Sequence, residues 1–274
     1  MKSAYIWIAL SVICVSCSSD LKTDYQEMLV IDGYLLPGED LSVKIYRTLP
    51  LLEGDRKKAH LADVSAVLFH NGFPVDTLKP ASLPEYLSDY PIVAEGTYRL
   101  EVEAPGFDKV YSPEIGIPTG PDFADLTYSI TPVSATFQQF TFQWPVNLDE
   151  SRKELYDLEI SSGSLNPDEG SFDFQQQVFF GRIDDEKEGV RPVFKGDQLP
   201  VFLTPAGGKP APDRLLLLMR TYDPHLKKYA LDIDRAETDL GGWLPPENNV
   251  YSNIEGGRGC FGALRLDTLT LRLP

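Results

Sequence analysis

Hydrophobic positions along the chain fall mostly two apart. Tyr98, Leu100 and Val102 alternate with Arg99, Glu101 and Glu103, which predicts a strand with one buried and one wet face. Met28 to Leu36, Leu41 to Arg47 and Val64 to His70 are rich in β-branched and aromatic residues and read as further strands. The run through Val64 and Phe69 stops at Asn71-Gly72, a two-residue hairpin signal, and Pro105-Gly106 turns the chain again. Farther on, Phe140, Phe142 and Trp144 alternate with polar residues, Leu155 to Ile160 supplies a partner, and Phe172 to Phe180 forms another strand. Arg214 to Tyr222 is a continuous apolar run that suits a central strand. The otherwise weakly patterned stretch from Asn166 to Lys209 predicts loops at the surface.

One segment breaks this period. Leu226, Tyr229, Ala230, Ile233 and Glu237 recur at steps of three and four, so a helix is expected over 224–239. Asp223 before Pro224 is placed to cap it, and Gly241-Gly242 to end it. Leu264 to Leu273 returns to period two and predicts a last strand. The 274 residues fit one large or two modest domains, and Ile117-Pro-Thr-Gly-Pro121 marks a boundary near residue 119. The expectation is a mainly β chain: an Ig-like, transthyretin-like sandwich over 27–118 and a fibronectin-III-like β-rich domain over 119–274 with one short helix. Val64-Ser-Ala-Val-Leu and Gly96-Thr-Tyr-Arg-Leu-Glu-Val carry a resemblance to carboxypeptidase-regulatory and transthyretin-like modules. That resemblance implies a fold and no activity.

The first residues change the picture of where the protein resides. Lys2 precedes about a dozen mostly apolar residues, too few to span a bilayer and followed by polar sequence, as in a secretory signal. Cys14-Val15-Ser16-Cys17 resembles the bacterial lipobox, with Cys14 where Leu is usual and small Ser16 just before Cys17. The expectation is therefore a signal peptide over 1–16, a lipid on Cys17, and a tether over 17–26. Cys260 is then left as the sole free thiol, which excludes an intramolecular disulfide and reads as a small buried hydrophobe. Forty-one acidic against 25 basic side chains give a formal charge of −16, whose field repels nucleic acid and anionic headgroups, so attachment falls to the lipid.

Candidate chemistry is sparse. Gly257-Arg-Gly-Cys-Phe-Gly262 matches a dinucleotide-binding spacing, but a strand follows it where that site needs a helix. Asp232, Asp234 and Asp239 imitate a calcium loop, yet Glu237 stands where glycine belongs and a helix would spread the acids over a solvated face. Asp184, Asp185, Glu186 and Glu188 form an acidic run that reads as a solvated loop, with ion binding left open. His60, His70 and His225 lack metal-ligand spacing, and no hydrolase elbow is present, so no metal, cofactor or catalytic residue is expected.

The most specific stretch is Trp243 to Ala263, with Pro245-Pro246, an Asn253-Ile-Glu-Gly-Gly-Arg-Gly259 core and a Phe261-Gly-Ala263 ending. It resembles the closing signature of a Bacteroidota outer-membrane lipoprotein family of unknown function, departing from it at Trp243-Leu244 and at Cys260. The resemblance implies an envelope lipoprotein, often encoded beside TonB-dependent outer-membrane transporters, with no assigned reaction. Read physically, Asn253, Gly256, Gly257, Gly259, Phe261 and Gly262 form a structural lock in which glycines allow close approach and Phe261 anchors a turn in the core. Three functions follow as expectations: a non-catalytic accessory or interaction subunit of a TonB-dependent transporter, a glycan- or peptide-binding module using Trp144 or Trp243, or an enzyme with dispersed carboxylates. Whether the protein faces the periplasm or the cell surface stays open at this level.

Overall fold

A computed structural model describes residues 25–50, 53–119, 123, 127–134, 137–143, 155–165, 172–184, 198–203, 213–239 and 250–272. The expected signal peptide, Cys17, Trp144, Trp243, Gly241-Gly242 and the acids at 185, 186 and 188 lie outside them.

The chain is mainly β with a single α-helix among the described residues. Its first part contains β1 (Leu29–Leu35), β2 (Leu41–Arg47), β3 (Ser65–His70), β4 (Phe73–Thr77), β5 (Lys79–Pro80), β6 (Glu85–Ser88), β7 (Thr97–Glu103), β8 (Val110–Tyr111) and β9 (Ile115–Gly116). β3, β4, β7, β8 and β9 form a five-stranded sheet, while β1, β2, β6 and β5 lie consecutively in an eight-stranded one. Period-two patterning drives the packing of the two. Leu29, Ile31 and Leu35 of β1 and Val43 and Ile45 of β2 pack with Leu68 of β3 and Tyr98, Leu100 and Val102 of β7 in one buried cluster. Each such side chain contributes about 1.5–3 kcal/mol on leaving water, so alternation alone specifies a sandwich. The Asn71-Gly72 turn has φ of +52° and +79°, the double left-handed conformation that joins two-residue hairpins.

The second part contains β10 (Thr127–Ser134), β11 (Phe137–Gln143), β12 (Leu155–Leu165), β13 (Phe172–Asp184), β14 (Gln198–Leu203), β15 (Arg214–Tyr222), α1 (Pro224–Asp239) and β16 (Arg258–Arg272). β10, β11 and β14 make a three-stranded sheet. β14 occupies part of the stretch read from sequence as loops. β15 is central as expected, between β12 and β16, but it alternates. Leu215, Leu217, Met219 and Thr221 are buried, whereas Leu216 and Leu218 are only half-buried.

The strand that matters most is β16. Its second half pairs antiparallel with β15, from Tyr222↔Leu264 to Arg214↔Arg272. Its first half pairs parallel with β1, from Val30↔Arg258 to Leu35↔Ala263. One eight-stranded sheet, ordered β13-β12-β15-β16-β1-β2-β6-β5, therefore runs through both parts of the chain. The glycine-rich segment turns at Gly256 and Gly257 and is strand from Arg258 onward, and Phe261, fully buried, anchors that strand.

Candidate functional site

The part of the closing signature from Asn253 to Ala263 lies where the two sheets of the first sandwich meet. Glu255 exchanges backbone hydrogen bonds with Tyr111 of the five-stranded sheet, its N–H donating at 2.8 Å. Three residues later the chain is paired to β1, after Gly256 and Gly257 have crossed beside Val110. Asn253 then does the work of a missing strand. Its Oδ1 accepts from the Phe261 N–H at 3.0 Å and its Nδ2 donates to the Phe261 carbonyl at 2.7 Å. Gly259, at φ +98°, passes so close to β1 that a Cβ would stand 1.9 Å from the Ile31 carbonyl oxygen. Only glycine fits there.

Gly262 plays the matching part toward the helix. A Cβ on it would meet Asp223 Oδ2 and the Leu226 Cβ, each at 2.7 Å. Asp223 accepts from the His225 N–H at 2.8 Å, capping α1 as the sequence predicted, and the same carboxylate accepts from the Ala263 N–H of β16. The Asp223 N–H donates to the Ala263 carbonyl at 3.0 Å. One buried side chain thus sets both the start of the helix and its seat on the sheet. Burial pushes its carboxyl above the ordinary range, opposed by the backbone N–H groups of Ala263 and His225.

Between α1 and the face of β2, β1 and β16 turned away from the sandwich core lies a cluster of ionisable groups. Asp32, Tyr46, Tyr229 and Cys260 perturb one another there, and Tyr251 joins from the segment before β16. Burial drives the Cys260 thiol far up, so it is no nucleophile. Burial also raises Tyr229, with Asp32, Tyr46 and Cys260 adding to the shift. Tyr251 is held at both ends, by its N–H donating to Asp232 Oδ2 at 2.9 Å and by a 2.6 Å hydrogen bond between its hydroxyl and His225 Nδ1. Asp232, half-buried, therefore holds the Tyr251 segment, a contact that the solvated-face expectation did not include. Lys227 is 2% exposed although it falls among the polar positions of the helix pattern. Among the described residues no three His, Cys, Asp or Glu side chains converge as a metal site requires.

The cluster opens at two grooves. One, of about 460 Å³, is lined by Asp32, Tyr34, Ser42, Lys44 and Glu85 on the outer face of the sheet. The other, of about 320 Å³, lies between Tyr229 and Ile233 of the helix, Val30 of β1, Val250-Tyr251 and Arg258. His70, by contrast, is structural: its ring stacks on Tyr98 at 4.4 Å and is hydrogen-bonded with the Tyr90 hydroxyl at 2.9 Å. His60 forms an isolated bridge with Tyr46. Asp184 ends β13. Sequence reasoning reached the lock residues but missed Asp32, Tyr46 and Lys227, whose neighbours are distant in the chain.

Asp32 gives a test of the cluster's electrostatics. Burial raises its carboxyl above the ordinary 3.8, more than nearby Lys44 lowers it. The folded state therefore keeps a proton that the unfolded state has lost, and stability due to this group is full below the unfolded value and drains as pH rises through the folded one. Asp32→Asn is expected to raise Tm by a few degrees at pH 7 and to leave it unchanged near pH 3. Thermal unfolding by circular dichroism at the two pH values checks this; equal shifts at both would assign the effect to packing.

The profile of a protein family matches residues 17–269, from Cys17 to within β16. The chain belongs to that family, described as a domain of unknown function, DUF4249. The match takes in every strand from β1 to β15, the helix and the lock, so the family's shared sequence spans both parts of the chain. No curated protein matches the chain.

Proposed function

We propose that the chain is a non-catalytic cell-envelope lipoprotein, held in the outer membrane by a lipid on Cys17 and serving a TonB-dependent outer-membrane transporter as an accessory or interaction subunit. The observation that carries this reading is the use made of the family's closing signature. Asn253, Gly259, Phe261 and Gly262 spend their chemistry on other parts of the same chain, so the signature preserves a scaffold and leaves recognition to outward-facing surfaces. The family match opening at Cys17, the residue that follows the short apolar segment, supports the lipid. A Ser18-to-Gln26 tether would let the sandwich reach a neighbouring barrel.

The test is purification of the lipidated protein from its native membrane in detergent, with mass spectrometry of what accompanies it and protease shaving of intact cells. Stoichiometric recovery of a TonB-dependent barrel, lost when Cys17→Ser releases the protein from the membrane, is the expected result. Recovery of the protein alone would overturn the accessory-subunit reading in favour of a free-standing glycan- or peptide-binding module. Membrane retention of the Cys17→Ser protein would overturn the anchor.

A further inference from the structure

We infer that the groove between α1 and the parallel β1–β16 pair is a binding site for a small amphiphilic carboxylate, an aliphatic or aromatic acid whose apolar body lies between the helix and the sheet and whose carboxylate meets Arg258. This does not rest on the lipid anchor or on a transporter partner.

The groove's walls are apolar and fixed. Val30 and Arg258 are register partners on adjacent strands, and Val30 is 9% exposed. Tyr229 and Ile233 are one helical turn apart and face the same space. The opposite wall, Val250-Tyr251, is immobilised by the bonds from Tyr251 to Asp232 and His225. A site whose walls are already ordered loses little further entropy on binding. Its volume of about 320 Å³ lies at the small end of ligand pockets and displaces on the order of ten waters, the scale of a short acyl chain or a single aromatic ring.

Charge decides the ligand's other end. The Arg258 side chain is exposed, forms no ion pair or hydrogen bond among the described residues, and lines the groove. Gly259 beside it is locked against Ile31, so the strand that carries the guanidinium cannot drift. A guanidinium binds a carboxylate through two parallel hydrogen bonds, a geometry a neutral headgroup cannot match. Lys228 stands nearby, its Nζ 5.5 Å from the centre of the Tyr251 ring, and adds a second positive charge on that side. Of the acids near this face, Asp232 accepts from the Tyr251 N–H, and Asp32 lines the other groove and not this one. The chain's overall negative charge acts beyond the screening distance of about 8 Å at physiological salt, so local cations set the preference.

The experiment uses the full mature chain with octanoate and trans-cinnamate as probes, and 1-octanol and methyl cinnamate as uncharged counterparts. Binding is followed by saturation-transfer NMR and calorimetry. The acids are expected to bind saturably, at least about ten-fold tighter than the uncharged probes, and Arg258→Gln should erase that difference while Arg258→Lys keeps only part of it. Circular dichroism confirms that these exposed substitutions leave the fold intact. Ile233→Trp, which fills the groove from the helix side, should abolish binding of all four probes. Absence of saturable binding, equal affinity of the native protein for acids and uncharged probes, a preference for the acids that survives Arg258→Gln, or binding that survives Ile233→Trp would each overturn the assignment.

Discussion

Gly259→Ala is expected to prevent the protein from folding. The substituted methyl group would stand 1.9 Å from the Ile31 carbonyl oxygen and also crowd the Ile31 N and C atoms at 3.0 and 2.9 Å. These are backbone atoms of a buried central strand, so neither a rotamer change nor a small shift relieves the clash. β1 and β16 must separate, which opens the core around Leu29, Ile31 and Phe261. The loss should exceed about 5 kcal/mol, enough to cancel the stability of a marginal domain. Gly38→Ala provides the control. Gly38 has φ +85° but nothing within 4 Å of an added Cβ, so only backbone strain of about 1 kcal/mol is expected there. Soluble yield and urea unfolding of the two variants separate the readings; similar losses in both would show that Gly259 matters for its backbone angle and not for its contact with β1.

The second large effect is expected at Asn253. Its side chain meets both backbone groups of Phe261, and β15 does not reach that part of β16, its pairing beginning only at Leu264. Asn253→Ala leaves a buried residue's N–H and C=O without those partners, at about 1–3 kcal/mol for each. A loss of about 3 kcal/mol is expected from denaturant midpoints. Asn253→Asp distinguishes bonding from bulk. A carboxylate still accepts from the Phe261 N–H but opposes its carbonyl, whereas a protonated carboxyl can donate to it. Relative to the native protein, the Asp variant should therefore be most impaired at neutral pH and recover as pH falls through the carboxyl range near 4. A variant equally weak at both pH values would argue that Asn253 acts by shape alone.

Elements decided by nearby residues were legible in the sequence. β15 and α1 have the bounds their patterns predicted, because a continuous apolar run and an Asp-Pro start are local signals. The Asn71-Gly72 hairpin was equally plain, since two positive φ angles require that dipeptide chemistry. The lock residues were legible as candidates but their geometry was not. Nothing local says that Gly259 must clear Ile31, that Asn253 replaces an absent strand, or that the glycine-rich segment runs parallel to β1. Lys227 and Asp232 misled for the same reason: helical periodicity sorts residues by polarity, while the burial of Lys227 and the bonding of Asp232 depend on the sheet and the Tyr251 segment packed against the helix. The grooves, built from side chains of β1, β2, α1 and β16, have no signature in any one segment.

The pairing of β1 with β16 also bears on how the molecule is made. Val30 and Arg258 are neighbours in space although about 230 residues separate them, the kind of closure that slows folding because so much chain must be gathered first. While the polypeptide emerges from a ribosome or crosses a membrane in single file, the first sandwich has its hairpins but lacks the strand that covers one edge of β1. That edge stays exposed until β16 arrives. Loss of β16 would therefore be felt first at β1, far away in sequence, and the nascent protein needs a chaperone most while β1 waits for that strand.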